Sequence, residues 1–188
     1  MLNVDLATQG ADRLSTFLEG INATRSDDTN VTLLGHSYGS LTSGLALQDP
    51  HTGVDNAVLF GSPGFGVETR DQLHVENLYA QAARGDVVAD ANGWNPGFGG
   101  SPADLDDVTW LSTDETSHGP QQRLAGAEWH THYIDRGTTS QYDQALVTVG
   151  ADGSEDGPLH ITDPPGKWGH IGGTLDYWGD RLEKWTGI

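Results

Sequence analysis

The fold is decided by residues 30 to 48, which read NVTLLGHSYGSLTSGLALQ. The run Val31 to Leu34 is short and apolar enough for a strand buried inside a parallel sheet. Small and apolar residues continue through Leu45 and predict a buried helix. Between the two lies GHSYG, in which Ser37 stands between two glycines. The stretch therefore predicts a strand, a tight turn and a helix, with Ser37 in the turn.

Ser37 has two interpretations. In the Gly-x-Ser-x-Gly nucleophile elbow, a reactive serine projects from a strained turn between a strand and a helix. Gly35 and Gly39 would relieve crowding on either side, and the helix would aim the backbone N–H of Tyr38 at a developing oxyanion. Chance alone supplies roughly 0.2 such matches in a glycine-rich chain of this size, so an ordinary turn is the alternative. The flanking strand and helix favour the nucleophile.

The other segments predict an α/β fold with a mostly parallel sheet. Residues 8 to 22 have the apolar spacing of an amphipathic helix. NAVLFGSPG and HVENLYAQAARGD each contain a buried strand, and SQYDQALVTVG predicts a later helix. The length suits a single domain over residues 1 to 188. We expect residues 93 to 120 to form a lid or an insertion. A closing core helix is predicted from Leu175, Trp178, Leu182 and Trp185.

Composition excludes several classes of function. Nine basic residues face 27 acidic ones, and the net charge of −18 repels phosphate backbones, so we expect no nucleic-acid partner. The absence of cysteine excludes disulfides, thiolate catalysis and cysteine-ligated zinc. No apolar run reaches the roughly 18–20 residues that cross a membrane. The first residues lack the features of a signal peptide. We therefore expect a soluble protein, with the cytoplasm slightly favoured over secretion.

A serine nucleophile needs a histidine base and an acid, which follow it in this architecture in the order Ser, Asp or Glu, His. Asp86, just after the third predicted strand, fits the acid, and Asp90 is a second choice. The spacing of His130 and His132 would place both on one face of an extended segment. It also suits two metal ligands, but no third ligand is evident, so we predict neither a metal nor another cofactor. The histidines available as base are His118, His130, His132, His160 and His170.

Five segments in this order carry a family resemblance: VTLLGHSYGSLTSGLA, AVLFGSPGFGV, ARGDVVAD, SHGP and HTHYIDRG. Together they resemble the actinobacterial alpha/beta-hydrolase domain family, whose substrates are largely uncharacterised. The resemblance runs from about residue 8 to residue 150. It implies a three-layer alpha/beta-hydrolase fold and a Ser–Asp–His triad. Residues 151 to 188 lie beyond it as an unmatched C-terminal extension.

Carried over by motif, the resemblance implies that Ser37 is the nucleophile and Asp86 the acid. The histidine of the family's His-Ser-x-Tyr segment falls on His130, because Tyr133 and Asp135 then keep their places. The alternates are Asp90 for the acid and His132 for the base.

The chain departs from this pattern before Val31. Hydrolases of this fold usually place several strands and a loop with an oxyanion donor upstream of the elbow, whereas only one helix precedes Val31 here. We expect Tyr38 to supply one donor. Three interpretations of the rest stay open: the chain is a fragment of a longer gene, it is a minimal form, or its missing strands come from another chain, as a homo-oligomer or as a missing N-terminal partner segment. The sequence thus predicts a serine hydrolase acting on a small acyl substrate, such as a carboxylic ester. The alternative is a non-catalytic binding or assembly module that keeps the fold without a complete oxyanion hole.

Overall fold

The computed structural model describes residues 4–26, 29–91, 96–118, 122–150 and 159–165. Within them, four parallel strands form one sheet in chain order. These strands are β1 (Thr32–His36), β2 (Asn56–Phe60), β3 (Asn77–Gln81) and β4 (Thr109–Trp110). A separate antiparallel pair is formed by β5 (Thr116–His118) and β6 (Gln122–Leu124). The helices are α1 (Val4–Thr24), α2 (Tyr38–Ala46) and α3 (Thr139–Thr148).

Strand β2 lies inside the sheet and is buried along its whole length. Its residues alternate between two apolar clusters, because successive side chains of a strand point to opposite faces. Ala57 and Leu59 join the cluster that contains Leu18 of α1, whereas Val58 and Phe60 join the cluster below α3. Burial on both faces explains why the strand reads as a continuous apolar run. The arrangement is a three-layer α/β fold, as the sequence predicted.

Helix α2 lies close to the chain that follows β2. A Cβ atom added at Gly44 would come within 2.0 Å of the carbonyl oxygen of Phe65, so only glycine permits this approach. On its other side α2 packs against α1. The small residues of the opening stretch therefore hold the first turn of α2 at the end of β1, where Ser37 lies.

The region after β3 contains less regular structure. Short 3-10 turns occur at Ala89–Ala91, Pro96–Phe98 and Pro102–Asp104. Strand β4 falls inside the predicted insertion of residues 93 to 120 and pairs with β3, so this part of the region extends the sheet. Of the predicted C-terminal extension, residues 159–165 are described. Ile161 pairs antiparallel with Leu111, next to β4.

The helix predicted from Leu175 to Trp185 lies outside the described residues. In the described part of the chain, no helix combines the length and the apolar character needed to cross a membrane.

Candidate active site

Ser37 occupies the turn between β1 and α2. Its backbone has φ 58° and ψ −128°, a conformation that L-residues rarely adopt and that costs on the order of 1–3 kcal/mol. Two backbone hydrogen bonds hold Ser37 in this conformation. The Ser37 N–H donates to the carbonyl of Phe60 at 3.0 Å, and the Ser40 N–H donates to the carbonyl of Ser37 at 2.9 Å. The strained turn projects the Ser37 hydroxyl beyond the carboxyl end of the sheet.

The two glycines of GHSYG differ in what they do. A Cβ atom at Gly35 would lie 2.9 Å from Leu59 Cδ2 and 3.0 Å from the backbone Cα of Ser40, so the strand and the helix could not approach as they do. A Cβ atom at Gly39 would meet nothing within 4 Å among the described residues. The expectation that both glycines relieve crowding is therefore wrong for Gly39, as far as the described part of the chain shows.

His130 connects the serine to a carboxylate. Its Nε2 lies 2.7 Å from Ser37 Oγ, and its Nδ1 lies 2.9 Å from Asp86 Oδ1. Because an ionised carboxylate can only accept, Nδ1 carries the hydrogen, and the neutral imidazole then accepts the serine hydroxyl proton at Nε2. The imidazole is partly exposed, with 26% of its side-chain surface accessible, whereas the carboxylate is fully buried. The structure thus brings together three of the residues that the sequence singled out.

Asp86 is held by four donors. Besides the His130 imidazole, its Oδ1 accepts the backbone N–H groups of Val88 at 2.9 Å and Ala89 at 3.2 Å. Its Oδ2 accepts the hydroxyl of Tyr133 at 2.6 Å. Both carboxylate oxygens are therefore hydrogen-bonded, which offsets the cost of burying the charge.

A second histidine, His36, contacts both the backbone and the ring of His130. His36 ends β1, and its Nε2 lies 2.7 Å from the carbonyl oxygen of His130. Its ring stacks on Phe60 at a centroid distance of 5.1 Å and lies 4.7 Å from the ring of His130. The strand that leads to Ser37 therefore also holds the backbone of the loop that carries His130.

The two alternates, Asp90 and His132, are not members of the hydrogen-bond chain from Ser37 through His130 to Asp86. Asp90 follows in the short turn after Asp86, and its N–H donates to the Asp86 carbonyl at 3.1 Å. His132 is half-exposed and pairs with Asp135 at 3.0 Å. The sequence expectation that His130 and His132 share a face is wrong, because the chain turns repeatedly around them instead of extending.

Of the other candidate histidines, His118 lies in β5, and His170 lies outside the described residues. His160 pairs with the buried Asp143 of α3 at 2.9 Å. Burial raises the pKa of Asp143 despite this partner, and among the described residues its Oδ2 has no hydrogen bond. Among the described residues, no cluster of three or more histidine, aspartate or glutamate side chains could hold a metal ion.

A cavity of about 220 Å³ lies beside the ends of β3 and β4 and is lined in part by Arg84, Trp110 and Asp163. None of Ser37, Asp86 and His130 lines it. Phe98 and Trp110 are both buried in apolar clusters.

Comparison with known proteins agrees with this architecture. A family model described as alpha/beta hydrolase matches residues 1–95, about half of the chain. The chain belongs to the alpha/beta hydrolase family. This membership confirms the resemblance drawn from the sequence motifs.

Relatives of this alpha/beta hydrolase occur in mycobacteria. The chain is 37% identical over 127 residues to an uncharacterised protein of Mycobacterium tuberculosis and to one of Mycobacterium bovis. The match covers 66% of this chain and 47% of each relative. The chain thus spans about half the length of the curated relatives it matches. No solved structure matches it.

Sequence reasoning assigned no role to His36 or to the hydroxyl of Tyr133. Both act through contacts that the chain makes between distant segments, which a local pattern does not reveal. One signal was present: Tyr133 follows His130 by three residues in the segment that carries the family resemblance. His36 precedes the serine directly, so its position in the motif gave a second signal.

Proposed function

We propose that this alpha/beta hydrolase is a serine hydrolase that cleaves carboxylic esters or related acyl compounds. The observation that carries the proposal is the continuous hydrogen-bond chain from Ser37 through His130 to Asp86, with contacts of 2.7 and 2.9 Å. A serine hydroxyl is a weak nucleophile until an adjacent base accepts its proton. Here the base is in contact with the hydroxyl, and a buried carboxylate orients the base.

The reaction takes two stages. Ser37 Oγ attacks the acyl carbon while His130 Nε2 accepts its proton, and the imidazolium then protonates the departing alcohol. The acyl-enzyme is hydrolysed when His130 accepts a proton from water and returns it to Ser37. Asp86 keeps Nδ1 of His130 protonated throughout and stabilises the positive charge that forms on the ring.

The tetrahedral intermediates place a negative charge on the former carbonyl oxygen. Tyr38 is the first residue of α2, so its backbone N–H lies at the positive end of the helix dipole. We assign this N–H as one oxyanion donor. One such donor accounts for roughly 3–4 kcal/mol of transition-state stabilisation, a factor of about a hundred to a thousand in rate.

Labelling with a fluorophosphonate probe tests the proposal, because such probes react quickly only with an activated serine. We expect the chain to be labelled on Ser37 and the Ser37→Ala variant to remain unlabelled. The same variant should lose hydrolysis of short p-nitrophenyl esters by several orders of magnitude. An unchanged far-UV circular dichroism spectrum would show that the variant still folds.

Matched variants separate the proposed residues from their sequence neighbours. His130→Ala should suppress labelling and hydrolysis, whereas His132→Ala should leave both close to the parent. Asp86→Asn should lower the rates of labelling and hydrolysis, whereas Asp90→Asn should leave both close to the parent. Loss of activity confined to the two control variants would remove His130 and Asp86 from the mechanism. A folded parent chain without labelling or turnover would favour the alternative, a binding or assembly module.

A further inference from the structure

Tyr133 makes two hydrogen bonds at the edge of the proposed site. It is 1% exposed, although its neighbours on both sides are exposed. Its hydroxyl accepts the backbone N–H of Ala83 at 2.7 Å and donates to Asp86 Oδ2 at 2.6 Å. A phenol buried with both of its hydrogen-bonding functions used is fixed in direction as well as in position.

The direction of the hydroxyl proton follows from its partners. The Ala83 amide can only donate, so the phenol proton must point to the carboxylate. Burial and the negative charge of Asp86 both raise the pKa of the Tyr133 hydroxyl, so it stays protonated. Tyr133 therefore presents a permanent donor to the oxygen of Asp86 that His130 does not use.

One loop supplies both side-chain partners of this carboxylate. His130 and Tyr133 lie three residues apart, and they bind Oδ1 and Oδ2 respectively. The loop is anchored where the Ser140 hydroxyl of α3 donates to the Tyr133 carbonyl. The Tyr133 ring packs against Phe60 at a centroid distance of 5.4 Å. The carboxylate can therefore rotate away from His130 only if it gives up the Tyr133 bond.

We infer that Tyr133 is a positioning residue, which fixes the Asp86 carboxylate in the orientation that His130 requires. The inference deepens the proposed function and rests on it. Among the described residues, no hydrogen bond joins Tyr133 to Ser37, so Tyr133 acts through its bond to Asp86. The other titratable groups that face it are His36, at a ring distance of 5.7 Å, and Asp90, which acts on it through its charge.

The test compares Tyr133→Phe with Tyr79→Phe. Tyr79 packs against the same apolar cluster, and in the described part of the chain its hydroxyl makes no hydrogen bond. We expect Tyr133→Phe to lower the rate of fluorophosphonate labelling by about tenfold to a hundredfold, the range for a hydrogen bond to a charged group. For ester hydrolysis, kcat should fall while KM changes little. The Tyr79→Phe chain should match the parent.

The pH profile separates positioning from a purely structural role. Without the Tyr133 hydroxyl, Asp86 keeps more negative charge next to His130, which favours the protonated imidazole. The acidic limb of the labelling rate should therefore move to higher pH in Tyr133→Phe and stay in place in Tyr79→Phe. A folded Tyr133→Phe chain with parental rates and an unmoved limb would overturn the inference and leave the proposed function standing.

A second measurement covers the case in which Tyr133→Phe does not fold or the parent is inactive. In the parent chain, the two bonds of the Tyr133 hydroxyl should give its proton a slowly exchanging, downfield signal in the NMR spectrum. A site-specifically labelled tyrosine assigns it. Absence of the signal would overturn the inference. If the signal is present, it would support the hydrogen bond from Tyr133 to Asp86 even where a failed labelling experiment had refuted the proposed hydrolase activity.

Discussion

The two glycines of GHSYG predict opposite responses to the same substitution. Gly35→Ala adds a methyl group where Leu59 Cδ2 is 2.9 Å and Ser40 Cα is 3.0 Å away. Leu59 is fully buried and the Ser40 contact is with backbone, so neither can yield without moving α2 relative to β1. Gly39→Ala adds the same methyl group within the first turn of α2, with no atom of the described residues inside 4 Å.

The magnitudes follow from these surroundings. Overpacking of this kind typically costs about 1–3 kcal/mol, which in a chain of this size lowers Tm by about 2 to 12 °C. At Gly39 the substitution removes conformational freedom from the unfolded chain without strain, a gain of about 0.4–1 kcal/mol. This should raise Tm by about 1 to 4 °C. A displaced α2 also displaces Ser37, and misplacement by about 1 Å can cost a hundredfold in rate.

Thermal unfolding of the parent and the two variants measures the first effect, and fluorophosphonate labelling measures the second. Gly35→Ala should be less stable than the parent and slower to label, and Gly39→Ala should be at least as stable. Stability is the deciding measurement at Gly39, because a methyl group there could also meet a substrate. If both variants lose stability equally, or if Gly35→Ala unfolds like the parent, the steric reasoning about the turn is refuted.

Two further predictions concern Asp143 of α3 and His36 of β1. Burial raises the pKa of Asp143, so the stability it contributes is full at low pH and is lost as pH rises through its folded pKa. Urea unfolding should therefore show the parent gaining stability relative to Asp143→Asn as pH falls from 7 towards 4, and a pH-independent difference would contradict this. His36→Phe keeps an aromatic ring on Phe60 but loses the bond to the His130 carbonyl. Labelling should slow by about twofold to tenfold, and an unchanged rate would show that the His130 loop does not need this bond.

Much of the fold could be predicted from local sequence patterns. The run that forms β2 is apolar because both faces of that strand are covered, and this burial is visible in the sequence. The prediction of a buried strand is wrong in part for β1, which lies at the edge of the described sheet and leaves Leu34 exposed. Strand β4 was not predicted. It contains only Thr109 and Trp110, too few residues for a periodic signal, and it exists because β3 offers an edge to pair with.

The sequence predicted candidate residues for the site, and the folded structure distinguishes among them. Asp86 and Asp90 lie four residues apart on an acidic chain, and the sequence could only rank Asp86 first by its place after the third predicted strand and by its motif. The structure separates them because the amides of Val88 and Ala89 turn back onto Asp86. The contact between His36 and His130 joins residues 94 positions apart in the chain, so it arises only once β1 and the His130 loop have packed together.

The loop that carries His130 and Tyr133 closes on itself at its base. Ala125 donates its N–H to the Gly137 carbonyl and accepts the N–H of Thr139, each at 2.9 Å. A loop closed in this way can change its length without moving the elements at its ends, and each doubling of length costs only about 0.6 kcal/mol.

Ile134 and Arg136 are exposed in this loop, after the two residues that contact the carboxylate. Insertions there would leave the hydrogen-bond chain from Ser37 to Asp86 intact. The loop is thus a segment that can be exchanged between relatives without moving the elements at its ends.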